Sequence, residues 1–330
     1  MRQSLPLVSI IIVNWNGRDH LRRCLNSVAD QTFRDYEVLV VDNGSEDGSA
    51  DMVRSDFPNV RLFEQNTNLG FAKANNLAAA AARGQWLALL NNDAFPLPEW
   101  LEALVNATQE KPQYASFASC LLRHGRAGIL DGAGDSYHVF GRPWRNGHNQ
   151  PLISPWTQPR PVFGPCAAAA LYRRNVFLSL GGFDESFFCY LEDVDLAFRM
   201  NLAGRPCYYV PNAKVFHVGS ATQGRHSAFT RYHGHRNLVW TFVKNMPGSL
   251  FWLYLPGHVA LNIVSLIGFA VRGEAGAIWN AKRDALRDLR RVLEQRRHIQ
   301  NSRRVSVAKL KAQMRGGLFP LFSIGKSPKS

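Results

Sequence analysis

The first third of the chain repeats one pattern, a short apolar run that stops abruptly at Asn or Asp side chains. The runs cover residues 8–13, 37–41, 60–64 and 86–90 and are rich in Val, Ile and Leu. Such runs predict strands buried on both faces of a parallel sheet. Segments with helical spacing separate them, around residues 21–29, 49–57 and 71–82. The chain is therefore predicted to be an α/β protein with a doubly wound, mostly parallel sheet.

The polar residues that end these runs are predicted to meet at one edge of the sheet. They are Asn14 with Asn16, Asp42 with Asn43, Asn66 with Asn68, and Asn91 with Asn92 and Asp93. The carboxyl ends of parallel strands lie side by side, and open α/β sheets bind ligands there. We therefore expect the four clusters to form one nucleotide-binding site together. The sequence has neither a GxGxxG after the first run nor a GxxxxGK[ST], so dinucleotide-binding Rossmann and P-loop proteins are not indicated.

Two of these clusters have both a functional and a structural interpretation. Asp93, flanked by amide oxygens, suits a hard divalent cation that also takes phosphate oxygens. Asp42 could accept a hydrogen bond from a base N–H or a ribose hydroxyl. Asn and Asp are also ordinary turn formers, so polar turns without a ligand remain the alternative at both places.

An acid-rich helix is predicted to begin within residues 188–199 and to end near Gly204. Glu192, Asp193 and Asp195 fall in its first turn, where the helix dipole favours carboxylates, and Asp195 can pair with Arg199. The functional alternative is that a carboxylate held there acts as a general base toward a substrate hydroxyl.

Residues between and after these motifs are less regular. Glycine-punctuated residues 125–147 predict a substrate-binding region with short strands. Small residues beside Gly164 favour close packing of a strand over close approach to a ligand. Two strands are predicted at residues 207–210 and 214–216, and His217, which follows them, is either a structural histidine or a metal ligand.

Composition predicts a globular cytoplasmic protein. The chain has 330 residues, 46% of them hydrophobic, enough for one large domain or two modest ones. Its five cysteines include no CxxC pair, which favours reduced thiols over disulfides or zinc. Pro6 and Ser9 interrupt the N-terminal apolar run and no small-residue cleavage site follows, so a first strand is predicted there, not a signal peptide.

The positive charge is concentrated near the C-terminus. Residues 272–315 hold thirteen Lys or Arg and four Asp or Glu, a net +9 of the +14 total. Within them, apolar residues recur at helical spacing from Ile278 to Val292, which predicts either a membrane-surface helix or a packed helix with a solvated basic face. An anionic membrane is favoured and nucleic acid is not, because no nucleic-acid-binding motif accompanies the charge.

Residues 250–271 are apolar but are interrupted near the middle by Pro256, Gly257 and His258. The stretch is about long enough to span a bilayer, yet these interruptions make a spanning helix unfavourable. An interfacial hairpin is predicted, and a buried or dimer-forming helix is the alternative.

As an ordered set, these motifs resemble those of family-2 glycosyltransferases with the GT-A fold. The resemblance covers about residues 5–220 and also includes Asn68-Leu69-Gly70-Phe71-Ala72 and Gly181-Gly182-Phe183-Asp184. It implies an inverting transfer of a sugar from a nucleoside-diphosphate donor, assisted by Mg²⁺ or Mn²⁺. A catalytic domain is expected over residues 1–225, with a nucleotide-sugar half at 1–110 and an acceptor half at 111–225. A helical, basic extension is expected over residues 226–330.

The resemblance also implies roles for individual residues. Asp93 would be the last acid of a DxD-type motif and a metal ligand, with Asn91 in place of the usual first Asp and Asn92 between them. His217 would supply an additional metal ligand. Asp193 would be the general base, and Glu192 would orient the site or bind acceptor. The nucleotide would be held by Asn14, Asn16, Asp42, Asn43, Gly70, Asn75, Asn91 and Asn92.

A less specific resemblance points to bacterial rhamnosyltransferases of surface-polysaccharide synthesis. It implies a dTDP- or UDP-linked donor, favouring L-rhamnose, and a glycan or polyprenyl-diphosphate-linked acceptor. The protein would then lie peripherally on the inner face of the cell membrane, with a homo-oligomer left open. Two other classes stay open: a processive polysaccharide synthase, although QxxRW is missing, and a catalytically silent nucleotide-sugar-binding scaffold.

Overall fold

A computed structural model of the chain describes residues 5–219 and 227–317. The predicted boundary between catalytic domain and extension, at residue 225, lies outside the described residues. All five cysteines are free thiols, as expected for a protein without disulfides.

The N-terminal part forms the predicted alternation of strands and helices. The strands pair in parallel in the order β4-β1-β2-β3. The elements are β1 (Val8–Asn14), α1 (Arg18–Ala29), β2 (Tyr36–Asp42), α2 (Ser49–Asp56), β3 (Arg61–Glu64), α3 (Gly70–Ala81) and β4 (Trp86–Asn91). Side chains of β1 and β4 are almost completely buried, because apolar layers cover both faces of the sheet.

The second part extends the same sheet with strands in both directions. Its elements are β5 (Ala94–Pro96), α4 (Trp100–Glu110), β6 (Ser116–Arg123), β7 (Leu130–Ala133), β8 (Asp135–Tyr137), β9 (Pro143–Arg145), β10 (Arg160–Val162), β11 (Ala169–Arg173), α5 (Arg174–Ser179), a 3₁₀ turn (Glu185–Phe187), α6 (Glu192–Leu202) and β12 (Cys207–His217). The sheet runs β10-β12-β6-β11-β4-β1-β2-β3. Strand β11 is antiparallel to both β4 and β6, so it joins the parallel part to the mixed part.

One prediction in this region is wrong in detail. The two strands expected at residues 207–210 and 214–216 form the single strand β12, whose pairing with β6 shifts register between Val210 and Lys214. The irregularity explains the break in the apolar pattern. It also brings His217, the last residue of β12, opposite Ala94 on β5, next to Asp93.

The C-terminal part is helical. It contains α7 (Ala228–Asn245), α8 (Gly248–Ala270), α9 (Ala275–Arg287), α10 (Leu289–Asn301) and α11 (Val307–Gln313). The predicted hairpin at residues 250–271 is wrong, because α8 is one continuous helix that contains Pro256. A proline removes a helical hydrogen bond and can kink a helix, but it does not by itself reverse the chain.

The apolar stripe of α9 and α10 faces protein. Ile278, Ala281, Ala285 and Val292 are buried, and Trp240 of α7 donates its indole N–H to the Ala285 carbonyl. The packed-helix interpretation of this stripe is therefore the one that the structure supports.

A buried ion network joins this helical part to α6. Lys244 Nζ of α7 lies 2.6 Å from Asp184 Oδ2 and 2.9 Å from Asp195 Oδ1. Asp195 also makes the predicted pair with Arg199, at 2.8 Å. Since Asp195 is committed to these partners, the network fixes the position of α6, whose N-terminus enters the site described next.

Candidate active site

A cleft of about 470 Å³ opens where the parallel strands end. Its walls come from the ends of β1 and β4, the start of α3, the β8–β9 hairpin, residues 166–168 and the N-terminus of α6. The location follows from the topology, because the chain leaves neighbouring parallel strands at the same edge.

The structure brings most of the predicted site residues to this cleft. Eight of them line it: Asn43, Gly70, Asn91, Asn92, Asp93, Glu192, Asp193 and His217. The other four, which are not among the residues that line the cleft, are Asn14, Asn16, Asp42 and Asn75.

Two of those four lie behind the cleft wall and hold it in place. Asn92 Nδ2 donates to Asn14 Oδ1 at 2.7 Å, and Asn14 Nδ2 donates to Asp42 Oδ2 at 3.2 Å. Asn14 and Asp42 are almost completely buried. Asn14 thus contacts Asn92, a residue of the wall, and the Asp42 side chain is linked to Asn92 through Asn14.

The remaining two are engaged elsewhere. Asn16 has a φ of 48° and accepts a hydrogen bond from the Glu46 backbone N–H. Asn75 is 1% exposed within α3 and donates to the Phe71 carbonyl. The burial of Asn75 and its bond within α3 give no contact with the cleft, so its role in the nucleotide site stays a prediction.

Gly70 shapes the wall at the start of α3. Its φ is +82°, and a Cβ built there would lie 2.6 Å from the Phe188 ring and 2.7 Å from the Phe188 carbonyl oxygen. Only a glycine satisfies both the left-handed backbone and this close approach.

Asp93 and His217 lie together at the base of the cleft. Asp93 Oδ1 is 3.4 Å from His217 Nε2, and Asp93 Oδ2 accepts from the Gly219 backbone N–H at 3.1 Å. On its other side, His217 Nδ1 is 2.8 Å from Asp131 Oδ2. Burial disfavours a charged imidazole, but hydrogen bonds with Asp131 and Asp93 raise the pKa of His217 above its usual value.

The donor set at this position fits a divalent cation that shares its shell with phosphate. Besides Asp93 and His217, the Asn91 Oδ1 atom is buried and has no hydrogen-bond partner within residues 5–219 and 227–317. Over those same residues, no three His, Cys, Asp or Glu side chains are grouped to hold a metal unaided. Mg²⁺ and Mn²⁺ accept such sparse protein ligation, since they keep waters and take substrate oxygens.

Asp193 lies at the N-terminus of α6, in another wall of the cleft. Its Oδ2 accepts from the Ala167 N–H at 3.1 Å, and its Oδ1 accepts from the Val194 N–H at 2.8 Å. Burial raises the pKa of Asp193 above the usual Asp value, although these two donors oppose the shift. A carboxylate with a raised pKa is a stronger base toward the proton of a hydroxyl group.

Glu192 differs from its neighbour. It is 5% exposed, and its Oε2 has no hydrogen-bond partner in the described parts of the chain. Burial and the charge of Asp193 raise the pKa of Glu192 well above its usual value. The Asp193 carboxylate therefore has two backbone donors, whereas the Glu192 carboxyl group has a buried oxygen without a partner in the described residues.

Several residues that line or support the cleft were not predicted from the sequence. They are Asp131, Asp135, Trp144, Arg145 and Cys166. Arg145 donates to Asp131 Oδ2 and, at 2.9 Å, to Cys166 Sγ. The sequence signal for this group was the run Asp131-Gly132-Ala133-Gly134-Asp135, which lies inside the segment whose strands were too short to assign.

The fold and these side chains define a glycosyltransferase. A family model described as "Glycosyl transferase family 2" matches residues 9–181, and the chain belongs to this family. The N-acetylglucosaminyl-diphospho-decaprenol L-rhamnosyltransferase of Mycobacterium tuberculosis is 31% identical over 269 residues, which cover 74% of this chain and 85% of that protein. The O-antigen biosynthesis protein RfbC of Myxococcus xanthus is 32% identical over 231 residues, 66% of this chain and 18% of that protein.

Solved structures confirm the GT-A fold that the sequence resemblance implied. GalNAc-T7, solved with UDP, GalNAc and Mn²⁺, matches with a TM-score of 0.63 and 19% identity over 80% of this chain and 51% of that one. The mannosyltransferase PcManGT from Pyrobaculum calidifontis, solved with GDP-Man and Mn²⁺, matches with a TM-score of 0.54 and 19% identity over 94% and 86%.

Proposed function

We propose that this glycosyltransferase moves a sugar, with L-rhamnose favoured, from a nucleoside-diphosphate donor to a hydroxyl of a polyprenyl-diphosphate-linked glycan, with inversion at the anomeric carbon. The observation that carries the proposal is the shared cleft. One wall holds Asp93 and His217, and another holds Asp193, a buried carboxylate with a raised pKa.

Asp193 would act as the general base. The Ala167 and Val194 N–H groups hold its carboxylate in one orientation, so a hydroxyl entering the cleft meets an acceptor that need not reorient. The base takes the hydroxyl proton as the oxygen attacks the anomeric carbon. One displacement inverts that carbon, and no protein nucleophile is needed.

Asp93 and His217, with the Asn91 amide oxygen, would hold Mg²⁺ or Mn²⁺. When bound, the cation stabilises the negative charge of the departing nucleoside diphosphate. Asp131 holds the His217 ring through Nδ1, which directs Nε2 toward Asp93. Such a carboxylate partner fixes the tautomer that a metal requires.

The nucleotide would lie along the side formed by Asn43, Gly70 and Asn92. Asn43 is already engaged with the Asn68 and Leu69 turn, so this wall is pre-formed. Asn14 and Asp42 support the wall through Asn92.

The choice of sugar and acceptor is supported by the mycobacterial relative, whose name specifies L-rhamnose and an N-acetylglucosaminyl-diphospho-decaprenol. A lipid-linked acceptor also suits helix α8. Of the helices in residues 5–219 and 227–317, α8 alone is long and apolar enough to cross a membrane. Only 17% of its most apolar window is buried, and Trp252, Ile263 and Ile267 are exposed.

A peripheral position on the inner face of the cell membrane accounts for that exposure. The α8 apolar side chains would enter the lipid, and the exposed Arg283, Arg287 and Arg290 would meet anionic head groups. Co-sedimentation with anionic vesicles tests this. Ile267→Glu should weaken binding, whereas the matched variant Ile153→Glu, at another exposed Ile outside the helical part, should not.

The transfer itself is tested with the purified full chain, Mn²⁺, a panel of dTDP- and UDP-sugars, and a synthetic N-acetylglucosaminyl-diphospho-lipid. Addition of one sugar, seen by mass spectrometry, with inverted anomeric configuration by NMR, is expected. Long products would indicate a processive synthase instead. Donor binding with neither transfer nor hydrolysis would indicate a silent scaffold.

A further inference from the structure

The hairpin of β8 and β9 places in the cleft a carboxylate to which the proposed function gives no role. Asp135 is the first residue of β8 and pairs with Arg145, the last residue of β9. Its backbone N–H also donates to the Gly164 carbonyl at 2.8 Å. Gly164 in turn packs against α6, since a Cβ there would lie 2.3 Å from the Ala197 Cβ. Asp135 is thereby fixed relative to the helix that carries Asp193.

The Asp135 side chain is buried but unsatisfied. It is 8% exposed, it lines the cleft, and its Oδ1 atom has no hydrogen-bond partner among residues 5–219 and 227–317. Buried polar atoms without a partner are uncommon, because desolvation without a replacement hydrogen bond costs free energy. Because Asp135 lines the cleft, a ligand bound there could supply that hydrogen bond.

Arg145, although opposite Asp135 in the hairpin, does not supply it. Its guanidinium donates to Asp131 and Cys166. Burial and the charge of Asp193 raise the pKa of Asp135 to about 7, while Arg145 lowers it by a smaller amount. A carboxyl group in this state is ready either to accept a hydrogen bond or to donate one.

The cleft that Asp135 lines also has an apolar surface that suits a pyranose ring. Pro143 and Trp144 of β9 line the same cleft, and both are half-buried. Sugar rings have apolar C–H faces and hydroxyl edges, so a cleft lined by both a carboxylate and an aromatic side chain matches both kinds of surface. The elements that line the nucleotide side, β1, β4 and the start of α3, are separate from this hairpin.

We infer that Asp135 and Trp144 form the acceptor-sugar subsite, in which Asp135 hydrogen-bonds a hydroxyl of the acceptor sugar while Asp193 deprotonates the attacking hydroxyl. This inference rests on the proposed function and specifies how its acceptor is recognised. Asp135 is thus a specificity-determining residue, and it takes no proton from the reacting atoms.

The experiment compares two reactions of the full chain with Mn²⁺: transfer to the synthetic N-acetylglucosaminyl-diphospho-lipid, and slow hydrolysis of the same nucleotide sugar, in which water replaces the acceptor. Asp135→Asn and Asp135→Ala should raise the acceptor KM about 10- to 100-fold, the effect of losing one hydrogen bond to a charged group. Donor KM and donor hydrolysis should stay within about twofold of wild type.

Matched variants separate the subsite from general effects on the fold. Trp144→Ala should also raise the acceptor KM, whereas Trp156→Phe, in the same part of the chain but outside the cleft lining, should not. Asp30→Asn removes an exposed carboxylate at the end of α1 and serves as the charge control.

Three results would contradict the acceptor subsite, and they differ in whether the proposed function survives. Wild-type acceptor KM in both Asp135 variants overturns the subsite while leaving the proposed function in place. Equal loss of hydrolysis and transfer also overturns it, because Asp135 would then serve the donor or the fold. A wild-type chain that transfers to no acceptor overturns the proposed function, and the acceptor subsite with it.

Discussion

Asp193→Asn separates the catalytic from the structural interpretation of the acid-rich helix. Removing a general base lowers kcat by about 10²- to 10⁴-fold, or about 3–5 kcal/mol in the activation free energy. Donor binding should be unchanged, because the nucleotide side of the cleft is built from β1, β4 and α3 and does not include Asp193.

Folding stability should respond much less than turnover. The amide that replaces the carboxylate offers one oxygen, so one of the two backbone donors, Ala167 or Val194 N–H, loses its partner, at a cost of about 1–3 kcal/mol. The substitution also removes a buried charge. The raised pKa of Asp193 means that the ionised form is disfavoured in the folded state, so native stability falls as pH rises through that pKa. Neutralisation recovers this loss and offsets the missing hydrogen bond.

The measurements are kcat from initial rates at saturating substrates, donor affinity by calorimetry, and urea unfolding. Glu192→Gln is the matched control. Glutamine keeps the size and a polar end of the Glu192 side chain, and Glu192 is not the proposed base, so a smaller loss of kcat is expected. A wild-type kcat in Asp193→Asn, or a larger loss in Glu192→Gln, would refute the assignment of the base.

Three further predictions concern the buried ion network, the proposed metal ligand and the cleft wall. Lys244→Met removes the buried cation shared by Asp184 and Asp195, of which Asp195 keeps its pair with Arg199, and should lower the free energy of unfolding by about 3–5 kcal/mol, measured by urea denaturation. His217→Gln should weaken activation by Mn²⁺ about 10- to 100-fold in a metal titration, and unchanged activation would exclude this residue as a ligand. Gly70→Ala should cost more stability than Gly181→Ala: both positions have positive φ, +82° and +81°, but a Cβ meets Phe188 only at the first and has open space at the second. Equal melting temperatures for the two variants would contradict that clash.

Much of the sheet and part of the cleft could be predicted because their signals are local. Strand β4 is an apolar run ended by Asn91, Asn92 and Asp93, and both its burial and its polar end are visible in eight consecutive letters. Helix α6 is marked by the acids of its first turn. The edge at which they meet follows from parallel topology alone.

The β8–β9 hairpin could not be predicted for the opposite reason. Each of its strands has three residues, too few for a period to be recognised, and the pairing partners of Asp135 are as distant as Arg145 and Gly164. Which side of such a short strand faces a cleft is decided by those partners. The sequence therefore predicts a substrate-binding segment over residues 125–147, but not that Asp135 and Trp144 line the cleft.

The C-terminal helices show the same division. Periodicity identified an amphipathic basic segment but could not say what its apolar stripe contacts, and the structure places Ala285 against Trp240 of α7. Helix α8 buries Leu250 and Leu261 but leaves other apolar side chains exposed, among them Trp252, Ile263 and Ile267.

The sequence by itself determined the order of the first strands and helices, the edge of the sheet where the cleft opens, and the presence of Asp93 and Asp193 at element ends, because strand burial and helix starts are encoded by neighbouring residues. Only the tertiary structure decided that His217 lies against Asp93, that Asn75 is buried within α3, and that Asp135 lines the cleft. These contacts depend on register and packing between segments far apart in the chain, which no local pattern records.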